Sequence, residues 1–514
     1  MNKRHVYDVL IVGSGATGGW AAKELTEGGL DVLVLEAGRK IQPKQFMSQP
    51  RELGPGVFAE RRTHPYSFPE DKPFRWNRHR VHGGRTLLWN RVSLRFSDHD
   101  FHAADYDGYG ENWPISYAEL APFYDRVETF WGISGARDGI PHLPDGMFLP
   151  PREMTNGERR IKQAVGRLWK DRDVINQRGV LSNETTPERW GFQTSVGSSL
   201  ADAEKTGRLT TRADTVVSHL VMHPTKSRVK GVVCVDTSTG ETFEEHARII
   251  MLCASSYESV RILLNSIAKE EHSQIEDASE VLGHYLLDHT TIKFSGVMNQ
   301  LKGQPLNSNS GGPYGIYIPR FRNLAEPHPD YLRGFGVMGH AQRRERQYIQ
   351  VEDTSTAYDV PSSEGVRLSL IGYGEMLSVY ENRLSLDKNL TDNWGIPAVH
   401  IDMKYGDNEA AMTQDMVNFF GELLRELEVD IPGNEIYLLT PGSSIHECGG
   451  ARMGTDPKSS VLNCHNQLWN VPNLFLTDGS CFVTNPCQNP TLTMVAMTSR
   501  ACSFILEQLR TGDM

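Results

Sequence analysis

The chain has 514 residues, enough for two domains around a large shared core. It is 39% hydrophobic and 23% charged, as a soluble globular protein is, and its net charge of -11 disfavours nucleic acid and anionic membrane as partners. No run approaches the roughly 20 apolar residues of a membrane span, and the seven cysteines are scattered, without a Cys-x-x-Cys pair, as reduced thiols are.

Met1-Asn2-Lys3-Arg4 leads straight into Val9-Leu10-Ile11-Val12, too short a run for a signal peptide and with no cleavage region behind it, so a cytoplasmic location is expected. Tyr7–Val12 has the pattern of a buried parallel strand, followed by Gly13-Ser14-Gly15-Ala16-Thr17-Gly18, a helical stretch from Gly19 to Leu25, and a second strand, Val32–Leu35, ending at Glu36. Gly13 permits the tight turn, Gly15 lets backbone approach a pyrophosphate, and Gly18 lets helix pack closely on strand. Glu36 can accept hydrogen bonds from ribose hydroxyls and disfavours a 2′-phosphate, so FAD and NAD remain and NADP does not. After Gly38, residues 41–80 form an irregular, proline-rich, basic stretch, expected to be an excursion around the nucleotide or a lid.

In His82-Gly83-Gly84-Arg85-Thr86-Leu87-Leu88-Trp89-Asn90 the paired glycines allow close approach to a flat or charged ligand and Trp89 offers a wall, although an ordinary turn fits equally well. Val216–Val221, Val229–Cys234 and Ala247–Cys253 are expected strands returning to the nucleotide domain, and Ala254–Asn265 a helix. From Gly283 to Thr440 the pattern is strand-rich (Ile316–Ile318, Val366–Ile371, Arg383–Leu386, Val399–Met403), ending in a helix from Asn408 to Leu427.

The chemistry-bearing end runs from Ile445-His446-Glu447-Cys448-Gly449-Gly450, through Asn473–Leu476 and Thr477-Asp478-Gly479, to Asn489-Pro490-Thr491. Together these point to one catalytic site. Pro490 is placed as the first residue of a last helix with Asn489 as its cap, because Leu492, Val495, Ala496, Cys502 and Leu506 recur at helical spacing. The N-terminus of that helix aims a partial positive charge at whatever lies beyond it.

Taken together, these motifs resemble the glucose–methanol–choline (GMC) family of FAD-dependent alcohol oxidoreductases. The likeness extends through Trp113-Pro114-Ile115-Ser116-Tyr117 and its sequel, through Gly283, Asp288 and His289, and through Glu375, Asn382, Trp394-Gly395 and Pro397. Its implied fold is α/β: a Rossmann-like FAD-binding domain (1–135, 195–285, 441–514) interleaved with a substrate domain (136–194, 286–440) on a mostly antiparallel sheet backed by helices. By resemblance, His446 takes the catalytic histidine position and Asn489 the second catalytic position. Gly13, Gly15, Ala16, Thr17, Gly18, Glu36, Ala37, Arg39, Gly83, Gly84, Thr86, Trp89, Asn90, Val217, Ala254, Asp478, Gly479, Asn489, Pro490 and Thr491 then fall around FAD. Asp288 and His289 are expected to support the domain junction, and no metal is expected.

The branch most similar is that of pyranose oxidases and glycoside 3-oxidases. Where fungal pyranose oxidases bond a histidine covalently to the flavin, this chain has Leu88, so FAD is expected to be dissociable. Gly450 replaces the family's usual threonine. No cysteine precedes Cys234, so the iron–sulfur cluster of some bacterial relatives is not expected. The implied activity is oxidation of a pyranose sugar or glycoside, carbon 3 favoured, with dioxygen as acceptor, by a monomer or simple homo-oligomer. Carbon 2 of free sugars, a quinone acceptor, and a non-redox role like that of hydroxynitrile lyases are the alternatives.

Overall fold

Tyr7–Val12 pairs in parallel on both sides, which is why its buried part, Val9–Val12, is apolar. It lies inside a sheet with spatial order Gln467–Leu468, Val471–Leu476, Thr242–Leu252, Tyr7–Val12, Val32–Leu35, Leu209–Arg212, parallel except at the first pair. The structure, a computed structural model, describes residues 6–48, 64–181, 185–224, 227–269, 280–298, 301, 315–342, 346–350, 357–361, 366–429 and 436–512. Part of the expected excursion over 41–80 therefore lies outside the described residues.

Val9 and Ile11 face one layer, formed by the helices Ala16–Glu27, Ser199–Lys205 and Thr491–Thr511. Leu10 and Val12 face the other, with the strands Thr215–Met222 and Val229–Asp236 and the helix Ser256–Lys269. Thr242–Leu252 begins five residues before its expected start because its polar first half pairs antiparallel with Gly231–Val235, and only its second half enters the parallel sheet. The strand order reverses beside Tyr7–Val12, and open α/β sheets bind ligands at the carboxyl ends of such strands.

The second sheet is antiparallel, with order Ile436–Leu438, His289–Met298, Val366–Glu375, Phe335–Gln342, Ile316–Ile318, Ile175–Asn176. His289–Met298 and Phe335–Gln342 had no clear signal in sequence, since threonine, serine and glycine interrupt their apolar positions. One face packs on the helix Asp407–Glu426: Met412, Met416 and Phe420 fill the space over Gly372 and Gly374. The opposite face carries Tyr373 and, one strand over, His289, the cross-strand partner of Glu375. Among the described residues, no helix is long and apolar enough to cross a membrane.

Candidate active site

Close approach shapes the loop after the first strand. Gly13 has φ +101°, donates to the Leu35 carbonyl at 2.8 Å, and could not carry a Cβ without overlapping the Cys253 carbonyl oxygen, beside Ala254. A Cβ on Gly18 would overlap the Gly13 carbonyl oxygen, whereas at Gly15 no protein atom lies within 4 Å of where a Cβ would stand. Gly15 caps Ala16–Glu27 without a side-chain bond, so the N–H groups of that first turn, with Ala16 and Thr17, can hold a diphosphate. Glu36 accepts from Ser14 Oγ at 2.6 Å, Ser14 N at 3.1 Å and Gly38 N at 2.8 Å, and burial raises its pKa. Arg39 bridges to Val81, while Ala37 packs against the cluster of Val216, Val235 and Ile396, and Val217 is buried on the same strand as Val216.

The 83–90 loop closes on this one. Gly83 N donates to Ser14 Oγ at 2.9 Å, and a Cβ on Gly84 would lie 3.2 Å from the Gly15 Cα. Thr86 Oγ donates to Gly83 O at 2.6 Å. Trp89, expected as a wall, is anchored by its indole N–H to Gln193 O at 2.9 Å and packs edge-on against Trp131. Leu88 and Asn90 are exposed.

His446 is held through both ring nitrogens. Its Nδ1 lies 2.8 Å from His289 Nδ1, and His289 Nε2 lies 2.7 Å from the Pro486 carbonyl oxygen. A carbonyl only accepts, so His289 carries its proton on Nε2, its Nδ1 accepts, and His446 donates from Nδ1. His446 Nε2 is left bare, and Asn489 Nδ2 donates to it at 3.1 Å across 43 positions of sequence. Burial, then His289 and Arg85, push the His446 pKa well below its ordinary value, and burial takes His289 down to about 4. Both rings are therefore neutral at neutral pH.

The His446 backbone is fixed as firmly. Its N–H donates to Ser444 Oγ at 3.1 Å, and its carbonyl accepts from Asn485 Nδ2 at 3.1 Å. Ser444 is bonded to the buried Asp288, which also accepts from Gly442 N at 2.6 Å and which burial raises to about 7. The Tyr373 ring stands 5.3 Å from that of His446. Gly450 has φ +95°, a conformation that resists a β-branched residue, so glycine in place of threonine is explained by the backbone. Asp478 accepts from Ser259 Oγ at 2.5 Å and Ser480 Oγ at 2.6 Å, and the Gly479 carbonyl accepts from Gly449 N at 2.8 Å. That pair thus ties the histidine turn to the end of the strand Val471–Leu476.

One expectation is corrected. Asn489 is not the side-chain cap of the last helix: the helix spans Thr491–Thr511, Pro490 stands at its cap position, and no side chain bonds there. The Asn489 amide nitrogen is given to His446 instead, and its Oδ1 is buried without a partner. His289, expected as a junction support, makes its junction contact directly on the His446 ring. Sequence reasoning also missed Asn485 and the Arg85–Glu447 pair. The repeated Asn-Pro of Asn485-Pro486 and Asn489-Pro490 was a usable signal for the first; nothing in sequence joins the second. Among the described residues, no group of three His, Cys, Asp or Glu is placed to hold a metal ion.

Two sequence-family profiles, both described as GMC oxidoreductase, match residues 7–291 and 379–498. The chain is 28% identical to a 2-methyl-1,2-propanediol dehydrogenase of Mycolicibacterium austroafricanum, across 97% of this chain and 95% of that one. It is 26% identical to a C-glycoside 3-oxidase of Arthrobacter globiformis across 54% of this chain and 50% of that one. In structure it is similar to an Aspergillus oryzae formate oxidase studied for its FAD modification, with a TM-score of 0.67, 14% identity and 100% coverage of both chains.

Proposed function

The chain belongs to the GMC oxidoreductase family, whose members are FAD-binding flavoproteins acting on CH–OH groups, and from that membership we propose an FAD-dependent oxidase of pyranose sugars or their glycosides. In this reading a secondary ring hydroxyl becomes a ketone, carbon 3 of a glycoside is favoured, and dioxygen is reduced to hydrogen peroxide. The catalytic residues are His446 and Asn489. The observation that carries the proposal is the bare His446 Nε2, fixed by the Pro486–His289–His446 chain and facing Asn489 Nδ2 at 3.1 Å.

A substrate hydroxyl between these two side chains donates its proton to His446 Nε2 while its oxygen accepts from Asn489 Nδ2. As Nε2 gains that proton, the Nδ1–H of His446 donates more strongly to His289, whose own N–H rests on Pro486, so the new charge is spread along a fixed path. The Tyr373 ring of the second sheet stands against that of His446 on one side. Gly13, Gly15, Ala16, Thr17, Gly18, Glu36, Ala37, Arg39, Gly83, Gly84, Thr86, Trp89, Asn90, Val217, Ala254, Asp478, Gly479, Asn489, Pro490 and Thr491 form the proposed FAD contacts. The open space at Gly15 and the uncapped helix starts at 16 and 491 support that fit. Bound FAD supplies the acceptor, flavin N5, for the carbon-bound hydrogen that leaves as hydride. Leu88 supports a non-covalent flavin. The division into an FAD part (1–135, 195–285, 441–514) and a substrate part (136–194, 286–440) is supported by the pairing of Ile175–Asn176 with the second sheet.

A second reading, dehydrogenation of a small vicinal diol with a quinone as acceptor, is favoured by the near-complete coverage of the propanediol dehydrogenase against half coverage of the glycoside oxidase. The test is anaerobic mixing of the FAD-loaded protein with glucose, an aryl O-glucoside, a C-glucoside and 2-methyl-1,2-propanediol, with products identified by NMR. Flavin bleaching by the glucosides and reoxidation by dioxygen are expected. Bleaching by the diol alone, or reoxidation only by a quinone, selects the second reading, and no bleaching by any of them removes both.

A further inference from the structure

The turn that carries His446 holds a conformation that its own residues resist. Ile445 has φ +63°, which brings a β-branched residue's Cβ against its carbonyl, and at 41% exposure packing does not hold it there. Ser255, the neighbour of Ala254, is likewise left-handed at φ +83°. One side chain reaches both. Arg85 donates from Nη1 to the Ile445 carbonyl at 3.2 Å and from Nη2 to Ser255 Oγ at 3.3 Å. The same fork grips the buried Glu447 carboxylate, with Nη1 at 2.9 Å and Nη2 at 2.6 Å, and Glu447 is the residue after His446. Glu447 is held from behind as well, its carbonyl accepting from Ser256 Oγ at 2.6 Å.

We propose that Arg85 is a positioning residue, a guanidinium clasp that keeps Ile445 left-handed and ties the Ile445–Glu447 turn to two loops, 83–90 and 254–256. Resting on the reading of those loops as FAD contacts and of His446 as the base, the clasp makes placement of the imidazole depend on both loops being in place. A planar fork with several donors is needed, because one group must bond a carboxylate in two places and a carbonyl beside it. Lysine, a point charge on a flexible stem, does not supply that geometry.

Arg85→Gln alone would leave Glu447 charged and buried without a partner, so the variant to make is Arg85→Gln with Glu447→Gln, compared with the same pair plus Ile445→Gly. The first readout is hydrogen–deuterium exchange over 444–448, with and without FAD, which needs neither substrate nor turnover. In the native protein, FAD loading slows exchange there. In the clasp-less protein, exchange rises by about tenfold or more and FAD no longer slows it. The second readout is the limiting rate of anaerobic flavin reduction, expected to fall by about tenfold or more with KM nearly unchanged, as loss of alignment rather than of substrate binding requires.

Ile445→Gly restores the reduction rate and the basal exchange, since glycine occupies the left-handed region unaided, while the response of exchange to FAD, which passes through Arg85, stays lost. A structural salt bridge with no bearing on the turn would show no such rescue. Unchanged exchange in the clasp-less protein, or a fall in reduction rate that Ile445→Gly leaves in place, overturns the clasp, as does an FAD response that survives without Arg85. Exchange that responds and is rescued while reduction stays at the native rate keeps the clasp and removes His446 as the base, so the two ideas fail in different ways.

Discussion

The Gly13–Gly18 loop and the Ile445–Gly450 turn are both glycine-bearing turns at the carboxyl ends of strands of the first sheet, yet they are built on opposite principles. The first works by what it lacks: Gly13 and Gly18 leave no room for a Cβ, and its functional groups are backbone N–H donors. The second works by side chains recruited from afar, with His446 touched by His289, Tyr373, Asn485 and Asn489 and its neighbours gripped by Arg85 and Asp288. A site made of backbone is fragile to added atoms and indifferent to pH. A site made of imidazoles and amides tolerates truncation and responds to protons.

The sharpest way to break this contrast is to exchange the lesions. Gly18→Ala sets a methyl group into the Gly13 carbonyl, so the protein should fail to accumulate in soluble form, or do so without FAD, as read from yield and flavin absorbance. His446→Ala should fold, keep FAD and stay yellow, yet lose about a thousandfold in the limiting rate of flavin reduction. Asn489→Ala should cost about a hundredfold, equivalent to about 3 kcal/mol for one donor aimed at a developing charge. Gly15→Ala is the smaller and more pointed test. With φ -69° and no protein atom near, the methyl group should leave the melting temperature of the FAD-free protein unchanged while weakening FAD binding about tenfold, read by titration. A fall in melting temperature instead would mean that Gly15 serves the fold.

The same contrast explains what sequence could reveal. The parallel strands and the fingerprint loop are local: Gly13 bonds Leu35, Glu36 bonds Ser14, and all lie within one stretch of chain. His446 and Asn489 could be paired by family likeness, but the direction of their hydrogen bond depends on His289 and on the Pro486 carbonyl, which no spacing encodes. Asn489 in front of Pro490 has every local mark of a helix cap, and tertiary contact with an imidazole overrode it. The strands Phe335–Gln342 and His289–Met298 escaped notice because glycines and threonines occupy positions that alternation reserves for apolar residues.

Acid should separate the two regions. His446 must be unprotonated to act, and its pKa is depressed by burial, His289 and Arg85, so the limiting reduction rate should stay flat through neutral pH and fall only well below the ordinary histidine range. Stability has its own dependence. His289, fully buried, is lowered to about 4, so between pH 6.5 and 4 the unfolded chain binds a proton that the folded one does not. Unfolding is favoured as pH drops through that window by about 1.4 kcal/mol per unit for this residue, and the loss levels off below it. His289→Gln removes the titrating ring, so chemical denaturation between pH 6.5 and 4 should show a shallower decline in stability than in the native protein. Parallel declines would mean that His289 takes up its proton in the folded state as easily as in the unfolded one, and the neutral relay behind His446 could not then be what fixes the base.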